Sequence, residues 1–203
     1  MEGSLLFTRA SEGVKHIRSE DGTILTKPFL DLCKLLLPLI DKFGSQMSCI
    51  KADVACNITK LEIKYASNPT KYNKLYSVTK EEVESKIART TSSCTNALVW
   101  LNRAMDFMVQ LFSNLIDHPE WSMTQACTDS YKRTLKKWHG WVAISTFRVL
   151  IKLAPERKKF MSSVGGSVEL NAQIEKLCTI FAPVLEDNHR FLASVGVDDL
   201  KAP

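Results

Sequence analysis

The segment 97–116 limits the possible folds more than any other part of the sequence, because it is apolar on almost every helical face. A helix of this kind has to be packed between other helices. Asn102, Arg103, Asp106 and Gln110 interrupt the segment and argue against a membrane span. We therefore predict a central helix whose apolar surface either fills a large core or partly lines a cavity for a long hydrophobic ligand. Periodicity alone does not distinguish a filled core from a ligand cavity.

Helical patterns recur along the rest of the chain, whereas strand patterns are almost absent. The first predicted helix begins near Pro28 and ends at Gly44, and Pro38 should bend it. We predict further helices at residues 50–66, 81–116 with Thr90 as a candidate break, 123–153 with Gly140 as a candidate break, 156–161, and 168–195 interrupted by Pro183. The chain has no internal repeat and no linker composition, so we expect one all-α domain spanning residues 1–203.

Charge and cysteine usage indicate the compartment. The 27 basic and 22 acidic residues give a net charge of +5, which favours anionic surfaces without singling out nucleic acid. The six cysteines form no C-x-x-C pair and no zinc-spaced cluster, so we interpret them as free thiols in a reducing compartment. Residues 1–15 have no secretory signal pattern. We expect a cytoplasmic protein with no cofactor, no metal and no nucleic-acid partner.

Three polar residues share one face of the predicted helix 50–66. Asp53, Asn57 and Lys60 follow the spacing i, i+4, i+7 and lie within about 60° of arc. Together they offer a carboxylate, an amide and an ammonium, which suits a sugar because each hydroxyl both donates and accepts hydrogen bonds. Spacing alone favours a plainer interpretation, a solvated stripe with local side-chain pairing.

Three further residues are ambiguous when taken singly. Trp100 lies in the apolar segment, where a tryptophan usually belongs to the core, although an indole can also stack under a sugar ring. His139 alone is more often structural than functional. Trp141 suits an interfacial membrane anchor because it follows a basic run, Lys132, Arg133, Lys136 and Lys137.

Together these residues resemble the pattern of the glycolipid transfer protein family. The resemblance covers nearly the whole chain and is carried by Ile50-Lys51-Ala52-Asp53, Asn57-Ile58-Thr59-Lys60, Ala97-Leu98-Val99-Trp100-Leu101 and Trp138-His139-Gly140-Trp141. It implies a two-layer sandwich of about eight helices enclosing an apolar lipid tunnel. It also implies a monomeric carrier of glycosphingolipid, with no enzymatic activity, that touches membranes transiently.

The resemblance assigns roles to the headgroup residues. Trp100 would stack under the first sugar, and Asp53, Asn57 and Lys60 would hydrogen-bond the headgroup. Asp53 and His139 would also hold the ceramide amide, one accepting from its N–H and the other donating to its C=O.

Other roles follow from the same resemblance. Trp141 would contact the membrane, and Asn96, one helical turn before Trp100, would border the sugar platform. Asn96 stands where the family usually has an apolar residue, and residues 199–203 lack the tyrosine that helps to close the site in the animal protein. By position, we expect the lipid chains to be lined by Phe107, Leu115, Leu135, Phe147, Ile151 and Phe160.

Three alternatives stay open at this point. A ceramide-1-phosphate carrier shares the fold, but a phosphate site would need more cationic side chains than Lys60 alone, and those relatives have an arginine at the position of Trp100. A lipid hydrolase or glycosidase would need a G-x-S-x-G elbow or paired carboxylates, and the polar stripe offers one carboxylate. A helical adaptor without a lipid site would use Trp100 and His139 as core residues.

Overall fold

The computed structural model describes residues 2–165 and 168–202, and this part of the chain folds into helices without a β-strand. The helices are α1 (Glu2–Lys15), α2 (Thr26–Leu36), α3 (Pro38–Asp41), α4 (Ser48–Ser67), α5 (Tyr76–Glu84), α6 (Cys94–Asp117), α7 (Met123–Arg133), α8 (Trp141–Lys152), α9 (Arg157–Ser163) and α10 (Val168–Ser194). Short 3-10 turns cover Ser45–Met47 and Lys136–Trp138. The predicted all-α class is confirmed.

The apolar segment forms the central helix, as predicted. Helix α6 packs against α10, α4, α7 and α5, while α1 packs between α10 and α2, and α2 returns to α4. These contacts close the helices around one large core. A smaller cluster formed by Tyr131, Leu135 and Phe147 lies between α7 and α8.

The start of α6 is fixed by two side chains from outside the helix. The Ser93 hydroxyl accepts the N–H of Asn96 at 2.9 Å, and the buried Glu82 carboxylate accepts the N–H groups of Cys94 and Thr95 at 2.9 and 2.7 Å. Helix N-termini leave such donors unpaired unless a cap supplies an acceptor. Glu82 therefore joins α5 to α6 and sets where the site-bearing helix begins.

Helix boundaries differ from the predictions in three places. The predicted helix 81–116 starts too late, because α5 begins at Tyr76, but the candidate break near Thr90 is confirmed: residues 85–93 separate α5 from α6, with Lys86 at a positive φ of 59°. Pro183 does not interrupt α10, since buried Phe181, Val184 and Leu185 hold the helix on both sides of the missing hydrogen bond. Pro38 does break its helix, into α2 and α3.

Helix α1 had no counterpart in the sequence predictions. It buries Phe7, Ala10 and Val14 at helical spacing, and the Phe7 ring meets Phe112 of α6 edge-on with centroids 5.3 Å apart. None of the helices within residues 2–165 and 168–202 combines the length and the apolar character that crossing a bilayer requires.

Candidate functional site

Helix α4 presents its polar row beside its apolar row. Val54, Ile58 and Leu61 are buried, whereas Asp53 is exposed and Lys60 is half-buried. Asn57 is 9% exposed, which places its amide at the border between core and surface. Helix α4 packs directly against α6, the helix that carries Trp100.

The charges of the polar row interact with one another and with the start of α6. The Lys60 ammonium lies 3.5 Å from the Thr91 carbonyl oxygen, three residues before α6 begins. Protein atoms around Asp53 remove part of its hydration and raise the pKa of its carboxyl above the usual value, an effect that Lys60 opposes. Asp53 is thus a carboxylate that solvent still reaches but hydrates incompletely.

Trp100 is half-buried, so part of its indole remains accessible from the surface. Its ring stacks near His139, with centroids 5.6 Å apart and planes inclined by 25°. Asn96 is also half-buried, one helical turn earlier on the same face. The structure therefore brings Trp100 and His139, which are distant in sequence, into one aromatic group.

The His139 ring contacts Tyr131 and Phe147. Nδ1 of His139 lies 3.1 Å from the Tyr131 hydroxyl, and its ring centroid lies 5.0 Å from that of Phe147. Burial lowers the pKa of His139 below its usual value, and the Arg103 charge lowers it further. The imidazole is consequently neutral at pH 7, with one nitrogen facing Tyr131 and one N–H available for a ligand if Tyr131 donates.

Arg103 is part of the site that sequence reasoning missed. It is 1% exposed, and its guanidinium centre lies 4.9 Å from the Trp100 ring centroid and 3.9 Å from that of Trp138. Its N–H groups donate to the carbonyl oxygens of Asp198 and Leu200, both at 2.6 Å. Burial lowers the pKa of Arg103 to about 10, and Asp198 opposes this shift. The side chain still carries its charge at pH 7.

These carbonyl groups belong to the C-terminal segment, which is fastened at further points. His189 of α10 bridges two carboxylates, with Nε2 2.5 Å from Asp106 and Nδ1 3.0 Å from Asp198. The Ala202 N–H donates to the Trp138 carbonyl oxygen at 3.0 Å. The segment therefore supports the aromatic group through its hydrogen bonds to Arg103 and Trp138.

The sequence signal that could have revealed Arg103 is an arginine inside an otherwise apolar helix, because a buried guanidinium needs hydrogen-bonding partners.

An apolar cavity of about 70 Å³ lies between α3, α4, α6, α7 and α8. Four of the predicted chain-lining residues, Phe107, Leu135, Phe147 and Ile151, are among the side chains that border it. Leu115 and Phe160 do not border it and are buried in the main core. Phe160 packs against Phe43, which does border the cavity, with ring centroids 4.6 Å apart.

The cavity adjoins the polar site. Phe147 touches both, since it borders the cavity and packs against His139, and Val54 borders the cavity directly after Asp53 in sequence. Pockets that hold a small ligand usually enclose about 300–1,000 Å³. At about 70 Å³, the cavity falls well below this range, so a larger apolar ligand would enter only if its walls separated.

Helix α8 exposes an apolar surface next to this site. Trp141 is 81% exposed, Val142 and Val149 are also exposed on the same helix, and exposed Leu153 follows directly after its last residue. Within the described ranges, no group of three His, Cys, Asp or Glu side chains could hold a metal ion, and all six cysteines are free.

Comparisons with known sequences cover most of the chain. Residues 24–166 match the sequence model of the family described as Glycolipid transfer protein (GLTP). Glycolipid transfer protein 1 of Arabidopsis thaliana is 58% identical over 202 residues, which is 100% of both chains. Glycolipid transfer protein 3 of the same plant is 32% identical over 87% of this chain and 78% of its own length.

Solved structures give the same fold. FAPP2, whose structure explains how it selects simple glycosphingolipids using the GLTP fold, is 25% identical with a TM-score of 0.84, over 94% of this chain and 95% of its own. Human ceramide-1-phosphate transfer protein, in complex with 12:0 ceramide-1-phosphate, has a TM-score of 0.85 at 18% identity, over 95% and 97% of the two chains. At that identity, the second likeness concerns the fold alone.

Proposed function

Because the chain belongs to the glycolipid transfer protein family, a family of lipid transfer proteins, we propose that its cargo is a glycosylceramide carried unaltered between membranes. The observation that carries this proposal is the accessible indole of Trp100 beside neutral His139, on a helix that packs against α4 with its polar row and that borders an apolar cavity. This arrangement provides an aromatic platform, hydrogen-bonding groups and a dry compartment, which are the three things a sugar-bearing ceramide needs.

The headgroup would bind at the polar end. The apolar C–H face of the first sugar would lie on Trp100, while Asp53, Asn57 and Lys60 hydrogen-bond its hydroxyls. Asp53 would strengthen such bonds because it is incompletely hydrated, and a hydrogen bond to a charged group is worth about 1.5–3 kcal/mol.

The ceramide amide would be recognised where the polar site meets the cavity. The Asp53 carboxylate would accept the amide N–H. If the Tyr131 hydroxyl donates to Nδ1 of His139, the proton of the neutral imidazole sits on Nε2, which can donate to the amide C=O. Tyr131 would then act by fixing the tautomer of His139.

The lipid chains would enter the cavity as its walls separate. Each CH₂ group left in water costs about 0.8 kcal/mol, so a carrier has to enclose both chains almost completely. Phe107, Phe147 and Ile151 border the existing 70 Å³ cavity and would be the first side chains to move. Leu115 and Phe160 would be reached only if the opening extends into the main core.

The main alternative cargo is ceramide-1-phosphate, and Arg103 argues against it. A phosphate site needs several free cationic donors. The guanidinium of Arg103 is buried, donates to two carbonyl groups of the C-terminal segment and faces Trp100 from the protein interior. It is therefore already occupied, and the sugar-binding interpretation is favoured.

Membrane contact would take place through α8. An indole favours the headgroup level of a bilayer, and Trp141 is almost fully exposed beside Val142 and Val149. We propose that this surface docks the monomer transiently during lipid uptake. Trp141→Ala should then weaken vesicle binding and slow transfer, without changing affinity for a short-chain lipid added in solution.

Asn96 would influence the choice of sugar. Its half-buried amide lies one turn from Trp100, and a polar group left without a partner discriminates strongly between epimers. We expect Asn96→Leu to raise transfer of the poorer of glucosylceramide and galactosylceramide and to leave the better one nearly unchanged. An unchanged ratio of the two rates would make Asn96 a bystander.

The proposed function is tested by following lipids between vesicles with purified protein. Donor vesicles would contain glucosylceramide, galactosylceramide or ceramide-1-phosphate, and mass spectrometry would identify the lipid in acceptor vesicles. We expect intact glycosylceramide to arrive faster than ceramide-1-phosphate. Faster ceramide-1-phosphate would indicate the alternative cargo, free sugar or fatty acid would indicate an enzyme, and no transfer of any lipid would indicate an adaptor.

A further inference from the structure

A groove between α7 and α8 carries an unusual concentration of positive charge. It encloses about 280 Å³ and is lined by four cationic side chains, Lys132, Lys136, Arg148 and Lys152. The remaining lining residues are Thr124, Thr128, Tyr131 and Ile151, so no carboxylate faces the groove. The cations lie in two facing pairs, one at the end of α7 and its following turn, the other on α8.

These charges have no salt-bridge partner among the described residues. In residues 2–165 and 168–202, none of the four forms an ion pair, and the nearby Asp129 is occupied by Arg133 at 2.7 Å and by the Asn114 amide at 3.1 Å. Four like charges around one concavity repel one another and attract anions. An anion in the groove would relieve this repulsion, and it would have to carry more than one charge to balance it.

The groove lies beside the apolar surface that would dock on membranes. Trp141, Arg148 and Lys152 fall within about 40° of arc on α8, and the exposed Val142, Val149 and Leu153 occupy the neighbouring arc of similar width. One helix thus presents an apolar stripe and a cationic stripe side by side, and Trp141 lies within the cationic stripe, between Arg148 and Lys152. With the apolar stripe in the bilayer interface, the groove lies at the level of the lipid headgroups.

We infer that this groove binds the phosphorylated headgroup of an anionic membrane lipid, one that carries a phosphomonoester, such as a phosphorylated phosphatidylinositol. The phosphomonoester supplies close to two negative charges for the four cations. The Thr124 hydroxyl borders the groove, and the Thr128 hydroxyl, which donates to the Thr124 carbonyl oxygen at 2.7 Å, can still accept a hydrogen bond from a ring hydroxyl of such a headgroup. The groove is separate from the glycosylceramide site, and the inference rests on the proposed function only in that the protein visits membranes.

The groove also connects physically to the cargo site. Tyr131 forms part of the groove wall, while its hydroxyl lies 3.1 Å from Nδ1 of His139. Arg148 is close enough to Tyr131 to oppose the rise that burial causes in the pKa of the phenol. A headgroup held by Arg148 would therefore sit one side chain away from His139 and would orient the cargo site towards the membrane that contains it.

The test measures binding of the full chain to vesicles that contain no glycosphingolipid. One set is phosphatidylcholine, a second contains a monophosphorylated phosphatidylinositol, and a third contains phosphatidylserine at matched total charge. The groove variant Lys132→Ala/Arg148→Ala is compared with Lys80→Ala/Lys176→Ala, which loses the same charge from exposed positions on α5 and α10. Because no cargo lipid is present, the result does not depend on whether glycosylceramide transfer succeeds.

We expect wild type and control to prefer the phosphoinositide vesicles to the charge-matched ones, and the groove variant to lose about tenfold or more of its phosphoinositide binding. Equal binding to both anionic vesicles, or equal losses in the two variants, would reduce the groove to general electrostatic attraction and overturn the inference. Tight binding of free inositol phosphate without recruitment to vesicles would also overturn it, because the ligand would then not be a membrane lipid.

Discussion

The two ends of the proposed lipid site differ in how much of them exists before a ligand arrives. At the headgroup end, Trp100, His139 and Arg103 already form one group, held by Tyr131 and by the C-terminal segment. At the chain end, the cavity measures only about 70 Å³. Polar recognition depends on fixed geometry, whereas an apolar space left open would lose packing contacts or admit water. Substitutions should therefore affect the two ends differently.

Trp100→Ala should have the largest effect, because it removes the platform from the preformed end. Loss of a central aromatic anchor commonly costs 2 kcal/mol or more of binding, so we expect transfer to fall by more than about thirtyfold. Because Trp100 is half-buried, unfolding free energy should fall by less than the roughly 3–5 kcal/mol typical of a core tryptophan. Vesicle transfer and thermal unfolding measured on the same preparation separate these effects.

A matched control for this experiment is Trp121→Ala. Trp121 is also half-buried and stacks on His118, with ring centroids 3.9 Å apart, beyond the C-terminal end of α6, whereas Trp100 lies near the start of that helix. It should lose comparable stability and keep its transfer rate. If Trp100→Ala instead lowers the melting temperature strongly and still transfers lipid, Trp100 is a core residue.

Asp53→Asn should separate function from stability at the same end. The raised pKa of Asp53 means that burial disfavours its charged form, so protein carrying this carboxylate should lose stability as the pH rises through that pKa. The amide removes this cost but accepts weaker hydrogen bonds, so we expect transfer to fall about tenfold. Melting temperatures at pH 4 and pH 7 should show the variant gaining relative to wild type at the higher pH.

A different result would change the role of Asp53. If the variant were less stable than wild type at pH 7, the carboxylate would be making a structural contact rather than waiting for a ligand. Asp41→Asn provides a comparison, since this exposed carboxylate pairs with Lys51 at 2.5 Å on the surface. The substitution should leave the transfer rate unchanged and should change the unfolding free energy by no more than about a few tenths of a kcal/mol.

Sequence reasoning reached the two ends of the site to different extents. The polar row of α4 is readable because its spacing is local, and the family resemblance pointed to Trp100 and His139. The support behind them was not readable, because Arg103 pairs with carbonyl groups of Asp198 and Leu200 that only tertiary folding brings near. The size of the cavity depends on how side chains from five helices interdigitate, which no local pattern reports.

The fold shows the same division. The central helix α6 followed from its apolar composition, whereas Pro38, which was expected only to bend its helix, divides it into α2 and α3. The start of α5 was misplaced because residues 76–80 were left out of the predicted helix 81–116, whereas the helix in the structure begins at Tyr76, packs against α6 and buries Val78, Thr79 and Glu82. Tertiary contacts overrode local propensity there.

Ala104→Leu tests the chain end, where the effect should be smaller and depend on the ligand. Ala104 borders the cavity from α6, and a larger side chain would fill part of the 70 Å³. Filling a cavity commonly adds about 0.5–2 kcal/mol of stability, and it would also obstruct chain entry. We expect an unchanged or raised melting temperature and a few-fold slower transfer of a long-chain glycosylceramide, with a short-chain analogue hardly affected. Equal slowing of both lipids would show that the chains do not enter here.

His189→Gln should have the smallest effect on transfer, and it tests whether the C-terminal segment is what keeps the headgroup end preformed. His189 bridges two carboxylates, and both raise its pKa, to about 9; the hydrogen bond to Asp106 has the larger effect and the one to Asp198 the smaller. A histidine with a raised folded-state pKa contributes stability that is complete below its unfolded pKa of 6.5 and disappears as the pH rises through about 9.

The glutamine of His189→Gln cannot carry the positive charge that lets both ring nitrogens of histidine donate hydrogen bonds. Wild type should therefore exceed His189→Gln in unfolding free energy by roughly 1–3 kcal/mol at pH 6, and the difference should shrink towards zero by pH 10. His16→Gln, which makes the same substitution at an exposed position, serves as the control for the substitution itself. Transfer at pH 7 should change less than twofold if Arg103 alone can hold the segment. A large loss of transfer with little change in stability would instead make the bridge of His189 a determinant of the geometry at Trp100.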